Sequence, residues 1–194
     1  MLNFKNKKVA IVGSSGNLLE RNYADLIDSH DYVLRFNQAR VIGYEKYVGS
    51  KTTHRIVNVH TFLGTTGNDR FPKNDPHFIP KLKDQEIIIN SAVPQSAINK
   101  RSPSNKVSII SSDFFKYCES LLEYKKQPSV GFLGVILALE STSDIDIFGF
   151  DQENTTSKKH YWEEVKALGQ WHDFDIEKQY FADLSKNNKI KIFK

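Results

Sequence analysis

The sequence predicts an α/β fold: a mostly parallel, twisted sheet flanked by helices in one domain spanning residues 1–194. Three observations carry this prediction. Short, wholly apolar runs such as "KKVAIVG" and "QEIIIN" read as strands buried on both faces. Segments with helical apolar spacing alternate with them along the chain. The first apolar run also empties directly into a loop of small residues, "GSSGN", as a buried strand does when it turns towards a ligand at the sheet's carboxyl edge.

Taken in order, "KKVAIVG" opens the sheet, and "LLERNYADLIDSH" follows with helical spacing that runs out near Asp28 and Ser29. "DYVLRFN" and "TTHRIVNV" return to strand character. From about Phe62 to Lys83 the chain is rich in Gly, Pro, Asn and Asp with weak periodicity, which predicts a long surface excursion. "QEIIIN", "VSIIS", "DIDIFGF" and "KIKIFK" read as further strands. "SSDFFKYCESLLEY", "GFLGVILALES", "HYWEEVKAL" and "DIEKQYFADLSK" read as helices, and a second excursion spans 151–159. No internal repeat or low-complexity tract interrupts the alternation.

Composition narrows the function classes. Apolar content of 39% with 26% charged residues fits a globular core, and the net charge of +4 is spread in short pairs such as Lys7-Lys8. That pattern describes a solvated surface better than a nucleic-acid groove. No run approaches the ~20 apolar residues of a membrane span, and no secretory signal opens the sequence. One cysteine, Cys118, allows no internal disulfide and sits in an apolar-periodic stretch, where a structural thiol is expected. The expectation is a cytoplasmic protein whose oligomeric state the sequence leaves open.

Three features fall at the carboxyl ends of the expected strands: the loop Gly13–Asn17, the Asn37 that closes "VLRFN", and the loop after Gly149. Gly13 and Gly16 let backbone N–H groups face an anion, and Asn17 offers a donor and an acceptor there or else caps the next helix. In "KQPSVGFLGV", Ser129 is a candidate N-cap, and the helix start around Gly131 makes a second anion seat or a plain capped core helix. Of six histidines, His160 in "KKHYWEE" and His172 in "GQWHDFDIEK" stand out as candidates for general-base work. Glu177 follows and could fix the His172 tautomer or cap the helix. A zinc site would need three or four ligands, which one Cys and scattered His do not supply. The first loop spells Gly-x-x-Gly, which argues against a dinucleotide-binding oxidoreductase.

Together these residues resemble the eukaryotic-type sialyltransferases of glycosyltransferase family 29, which share four sialyl motifs. The long motif resembles residues 9–58, including "IDSHDYVLRFN" and "GYEKYVGSKTTH"; the short motif resembles "PSVGFLGVILALESTSDIDIFGF", residues 128–150. "HYWE" at 160–163 is similar to the third motif, and His172 through Glu177 to the very short one. The resemblance implies a Rossmann-like domain of the GT-A-variant type. It also implies an inverting, metal-independent transfer from a CMP-sugar donor to a glycan acceptor, with no other cofactor.

Sialic acid is the sugar it points to, Kdo or a related ulosonic acid is the alternative, and a non-catalytic CMP-binding module is the alternative of another class. Residue by residue, the resemblance makes Ser14, Asn17, Asn37, Ser129, Gly131 and Gly149 nucleotide-binding. His160 becomes the phosphate partner and His172 the base, with Glu177, Gly13, Gly16 and Tyr161 in support. The chain departs from the family at Ser14, where the family carries Asn. It departs again at about Val9 and Thr142, where secretory members carry the two cysteines of a disulfide.

Overall fold

The first strand, Val9–Val12, is buried along its whole length because every residue is apolar. It lies near the middle of a seven-stranded, all-parallel sheet in the computed structural model, which describes residues 3–64, 77, 79–150, 160–163 and 171–193. The strands are β1 (Val9–Val12), β2 (Tyr32–Phe36), β3 (His54–Val57), β4 (Glu86–Ile89), β5 (Val107–Ile109), β6 (Ile145–Phe148) and β7 (Lys191–Phe193). Their spatial order is β5-β4-β3-β2-β1-β6-β7. The chain therefore builds outward from β1 to β5, then crosses back to place β6 against the other side of β1, with Val9 opposite both Tyr32 and Ile145. Leu18 and Ile27, which follow β1, pack on one face of the sheet and Phe181, which follows β6, packs on the other, so a crevice opens between these two strand ends at the carboxyl edge.

The helices are α1 (Ala24–Asp28), α2 (Glu45–Val48), α3 (Val59–Leu63), α4 (Gln95–Arg101), α5 (Ser112–Leu121), α6 (Val130–Leu139) and α7 (Phe174–Lys186). α6 is apolar all round and buried from Phe132 to Ala138, as a helix enclosed between a sheet and other helices must be. It packs on one sheet face with α5 and α7 in a core that includes Ile11, Leu34, Ile56, Cys118 and Phe181. Cys118 is buried, and its thiol is pushed up to about 12 by that burial, with Glu140 adding to it, as befits a packing residue. Ala10, Val12, Ile27, Val33 and Phe148 form the core on the opposite face.

The expected strands are all present. The helix expected over "LLERNYADLIDSH" is instead a 3-10 turn, Gly16–Glu20, and the short α1, separated at Arg21, whose backbone is extended (φ −141°, ψ 154°). The expected helix "HYWEEVKAL" begins with a bridge between His160 and Glu163 rather than a helical turn; its remainder, the excursion at 151–159 and most of that at 62–83 lie outside the described residues.

Two arginines are buried inside the sheet. Arg35 and Arg55 face each other across β2 and β3. Arg35 donates to the carbonyls of Val48 and Lys51 and to Thr52 Oγ1 at 2.7, 2.9 and 2.9 Å. Arg55 donates to Gln85 Oε1 at 3.0 Å and, through Nη1, to the carbonyls of Asn37 and Ala39 at 2.9 and 3.2 Å. Burial, reinforced by the neighbouring Arg35 charge, lowers the Arg55 guanidinium to about 9. These cations sew the loop after β2 onto the sheet and so fix where Asn37 stands.

Candidate active site

A cavity of about 670 Å³ opens at the carboxyl edge, in the crevice between the loops after β1 and β6. Its walls include Gly13, Ser14, Asn37, Ser129, Gly131, Gly149, His160, His172 and Glu177. Gly16, Asn17 and Tyr161 do not line it.

The floor is two strand ends in close contact. Gly13 donates its N–H to the Phe148 carbonyl at 2.7 Å, and Ser15 donates to the Gly149 carbonyl at 3.1 Å. A Cβ on Gly13 would stand 2.4 Å from the Gly149 carbonyl oxygen. Gly149 itself has φ +68°, in the left-handed region that favours glycine, and a Cβ there would stand 2.5 Å from Leu18. The 3-10 turn that follows is capped by Ser15, whose Oγ accepts from Asn17 N at 3.4 Å. Ser15, not Asn17, is thus the cap. The turn carries Asn17 off the cavity wall, with its Oδ1 buried and without a hydrogen-bond partner.

Asn37 closes β2 with φ 45°, a conformation asparagine tolerates better than most residues. Its Oδ1 accepts the Asn58 N–H at 3.0 Å, which leaves Nδ2 as the group available to a ligand. Across the cavity, Ser129 caps α6 by accepting from Phe132 N at 3.0 Å. Glu177 of α7 reaches back to it: Ser129 N donates to Oε1 and Ser129 Oγ to Oε2, both at 2.6 Å. With Glu177 ionised, both Ser129 donors are therefore spent inside the protein. The N–H groups of Val130 and Gly131, which a helix start leaves without intrahelical acceptors, become the donors at this wall. The α7 cap is Asp173, whose side chain accepts from Ile176 N, so Glu177 serves neither expected role there.

Burial raises the Glu177 carboxyl from 4.5 to about 7, only partly countered by the Ser129 bonds. A folded-state value above the unfolded one means the fold prefers the protonated acid. This contribution is full below about pH 4.5 and is lost as pH rises through about 7. At ~1.4 kcal/mol per unit it amounts to roughly 3 kcal/mol. Urea denaturation from pH 5 to 8 should show the wild type losing stability more steeply than Glu177→Gln. Equal slopes would show that this carboxyl does not titrate in the fold.

The imidazoles occupy the remaining walls. His172 Nδ1 lies 2.9 Å from the Gln127 carbonyl. A carbonyl can only accept, so Nδ1 carries the hydrogen and Nε2 of the neutral ring holds the lone pair a base needs. Gln127, rather than Glu177, selects the tautomer. His160 Nδ1 lies 2.7 Å from Glu163 Oε1, and its ring stacks on Trp162 at 4.5 Å between centroids. Tyr161 is buried; its N–H donates to the Ser14 carbonyl at 2.9 Å and its hydroxyl to the Arg40 carbonyl. This residue therefore ties the His160 segment to both the first loop and the loop after β2. Among the described residues, no group of three or more His, Cys, Asp or Glu is placed to hold a metal ion.

A parallel sheet with a cavity at its switch point, walled by strand ends and two oriented imidazoles, is the arrangement in which doubly wound α/β proteins hold their ligands. A model of glycosyltransferase family 29 (sialyltransferase) matches residues 3–189, and the chain belongs to that family. It is 34% identical over 200 residues to the human CMP-N-acetylneuraminate-beta-galactosamide-alpha-2,3-sialyltransferase 1, covering 97% of this chain and 58% of that protein. It is 28% identical to the Beta-1,6-galactosyltransferase GALT29A of Arabidopsis thaliana, covering 90% of this chain and 50% of that protein. Thus the chain spans little more than half the length of these relatives. The crystal structure of a mammalian sialyltransferase superposes with a TM-score of 0.76 at 30% identity, over 97% of this chain and 69% of that one. The same is true, with a TM-score of 0.75, of a mammalian sialyltransferase in complex with Gal-beta-1-3GalNAc-ortho-nitrophenol.

Proposed function

We propose that this protein is a CMP-sugar-dependent inverting glycosyltransferase that moves sialic acid from CMP-sialic acid to a glycan hydroxyl. The observation that carries the reading is the convergence of Ser14, Asn37, Gly131, Gly149, His160 and His172 on one cavity at the switch point. Asn37 Nδ2, the Ser14 hydroxyl and the α6 N–H groups donate to the nucleotide, with Gly149 giving it room to approach the sheet. His160 donates to the phosphate as the bond from the anomeric carbon to the phosphate oxygen breaks. His172 Nε2 takes the proton of the acceptor hydroxyl as that oxygen attacks the opposite face of the anomeric carbon. The configuration there inverts, and CMP departs with the bonding pair. In this reading backbone donors, the helix start and an imidazole stabilise the leaving phosphate without a metal ion.

Two experiments test this. CMP at about 100 times its Kd should stabilise the fold by ~2.7 kcal/mol, which for a chain of this size raises Tm by roughly 5–10 °C. CDP, UDP and NAD should do less. Incubation with CMP-sialic acid and a Gal-beta-1-3GalNAc acceptor should yield sialylated product by mass spectrometry, undiminished by a chelator. Product from CMP-Kdo but not from CMP-sialic acid would change the sugar, and nucleotide binding without product from either donor would leave a binding module.

A further inference from the structure

Asn37 has two counterparts in the next strands. Asn58 follows β3 and Asn90 follows β4, each one residue past the strand's last apolar position, and both line the same cavity as Asn37. The parallel ladder continues through them, since Asn37 N donates to the Ile56 carbonyl at 2.8 Å and Asn90 N to the Val57 carbonyl at 3.0 Å. The three carboxamides are oriented alike. Asn37 Oδ1 accepts from Asn58 N at 3.0 Å, Asn90 Oδ1 accepts from Val59 N at 2.9 Å, and Asn58 Oδ1 accepts from Thr61 N at 2.7 Å. Each side chain thus commits its oxygen to the backbone at the start of α3. The NH₂ group at the end of each, a donor of two hydrogen bonds, is left for a ligand in the cavity.

We infer that Asn58 and Asn90 form the subsite for the glycosyl half of the donor, presenting carboxamide donors to its carboxylate and hydroxyl oxygens. Neighbouring strands lie about 4.8 Å apart, so the row from Asn37 to Asn90 spans roughly 10 Å, the reach of one nonulosonic acid with its side chain. The inference rests on the proposed reading of Asn37 as a nucleotide contact. The sugar is bonded to the CMP phosphate, so its oxygens must fall within one ring of that contact, and the row begins there. An anionic, acceptor-rich group suits a row of three carboxamides whose oxygens are already committed to the backbone. The acceptor glycan, by contrast, must approach the face of the anomeric carbon served by His172, which the loop before α6 holds rather than β3 or β4.

The test uses Asn58→Asp and Asn90→Asp. Aspartate keeps the oxygen that accepts from Thr61 N or Val59 N, so the α3 start stays capped, but it replaces the donor pair with negative charge. Asn90→Ser serves as a second, uncharged variant. Each Asp variant should raise KM for CMP-sialic acid at least tenfold, the effect of losing a hydrogen bond to a charged group, while Kd for CMP and KM for the acceptor stay within twofold of wild type. Asn90→Ser should shift the donor KM in the same direction by a smaller factor. An unchanged donor KM in all three folded variants would make the row a purely structural clasp. A rise in acceptor KM alone, or a parallel loss of CMP affinity, would equally overturn the assignment. Should wild type itself fail to bind CMP, the parent reading of the cavity fails, a result distinct from any of these.

Discussion

Replacing His172 with alanine is expected to lower the transfer rate by roughly 10²- to 10⁴-fold, the contribution of a positioned general base, while CMP affinity stays near wild type. The asymmetry follows from where the ring is held. Its Nδ1–H is given to the Gln127 carbonyl at 2.9 Å, so Nε2 stands in the cavity as a proton acceptor and not as a donor to an anion. The nucleotide donors proposed above belong to other elements: Asn37 after β2, Ser14 after β1, and the N-terminal turn of α6. Removing the ring therefore removes proton transfer from the acceptor hydroxyl and little of the ground-state binding. Steady-state rates paired with titration calorimetry separate the two effects. A variant that transfers sugar at the wild-type rate would refute the base assignment, and one that loses CMP affinity in proportion to rate would make His172 a nucleotide ligand. His160→Ala, whose ring is stacked on Trp162, should instead weaken CMP affinity and rate together.

The strands were legible in the sequence because a parallel sheet covered on both faces demands continuous apolar runs, and "VAIV" and "IIIN" are such runs. α6 was legible for a related reason: ten apolar or small residues after a serine can only be a capped, enclosed helix. α4 escaped notice because it buries none of its residues, so "QSAINKR" carries no periodicity to detect. The helical spacing over residues 18–30 arises because Leu18 in a 3-10 turn, Tyr23 at the helix cap and Ile27 in α1 pack into one core from two separate elements.

Asn37, Gly149, His160 and His172, singled out in the sequence, line one cavity, whereas the Glu177–Ser129 pair joins residues 48 apart and leaves no local mark. Asn58 and Asn90 did leave one. They close "HRIVN" and "QEIIIN" as Asn37 closes "VLRFN", and the recurrence of a carboxamide at the same strand end was there to be read. So was the oddity of Arg35 and Arg55 in the middle of apolar strands, where a charge persists only if carbonyls or carboxylates meet it.

Gly13→Ala should damage folding and ligand binding at once. The position has no unusual backbone conformation to preserve; what it lacks is space, since the new Cβ would meet the Gly149 carbonyl oxygen at 2.4 Å and the Gly149 carbonyl carbon at 3.0 Å. Both are backbone atoms, so no side-chain rotation relieves the clash and the ends of β1 and β6 must part. That separation strains the Gly13–Phe148 and Ser15–Gly149 hydrogen bonds, which hold the cavity floor at 2.7 and 3.1 Å. Overpacking of this kind costs roughly 1–3 kcal/mol, a Tm fall of about 3–10 °C for a chain of this length. CMP affinity should drop with it, because Ser14 and Gly149 move apart.

Gly43→Ala provides the contrast. Gly43 has φ +87° with nothing within 4 Å of a new Cβ, and it does not line the cavity. Its substitution should cost backbone strain of about 1–2 kcal/mol and leave CMP affinity unchanged. Comparable Tm losses with CMP affinity lost only in Gly13→Ala would locate the ligand at the contact between the two strand ends. Unchanged CMP affinity in a folded Gly13→Ala protein would show that the nucleotide does not sit there.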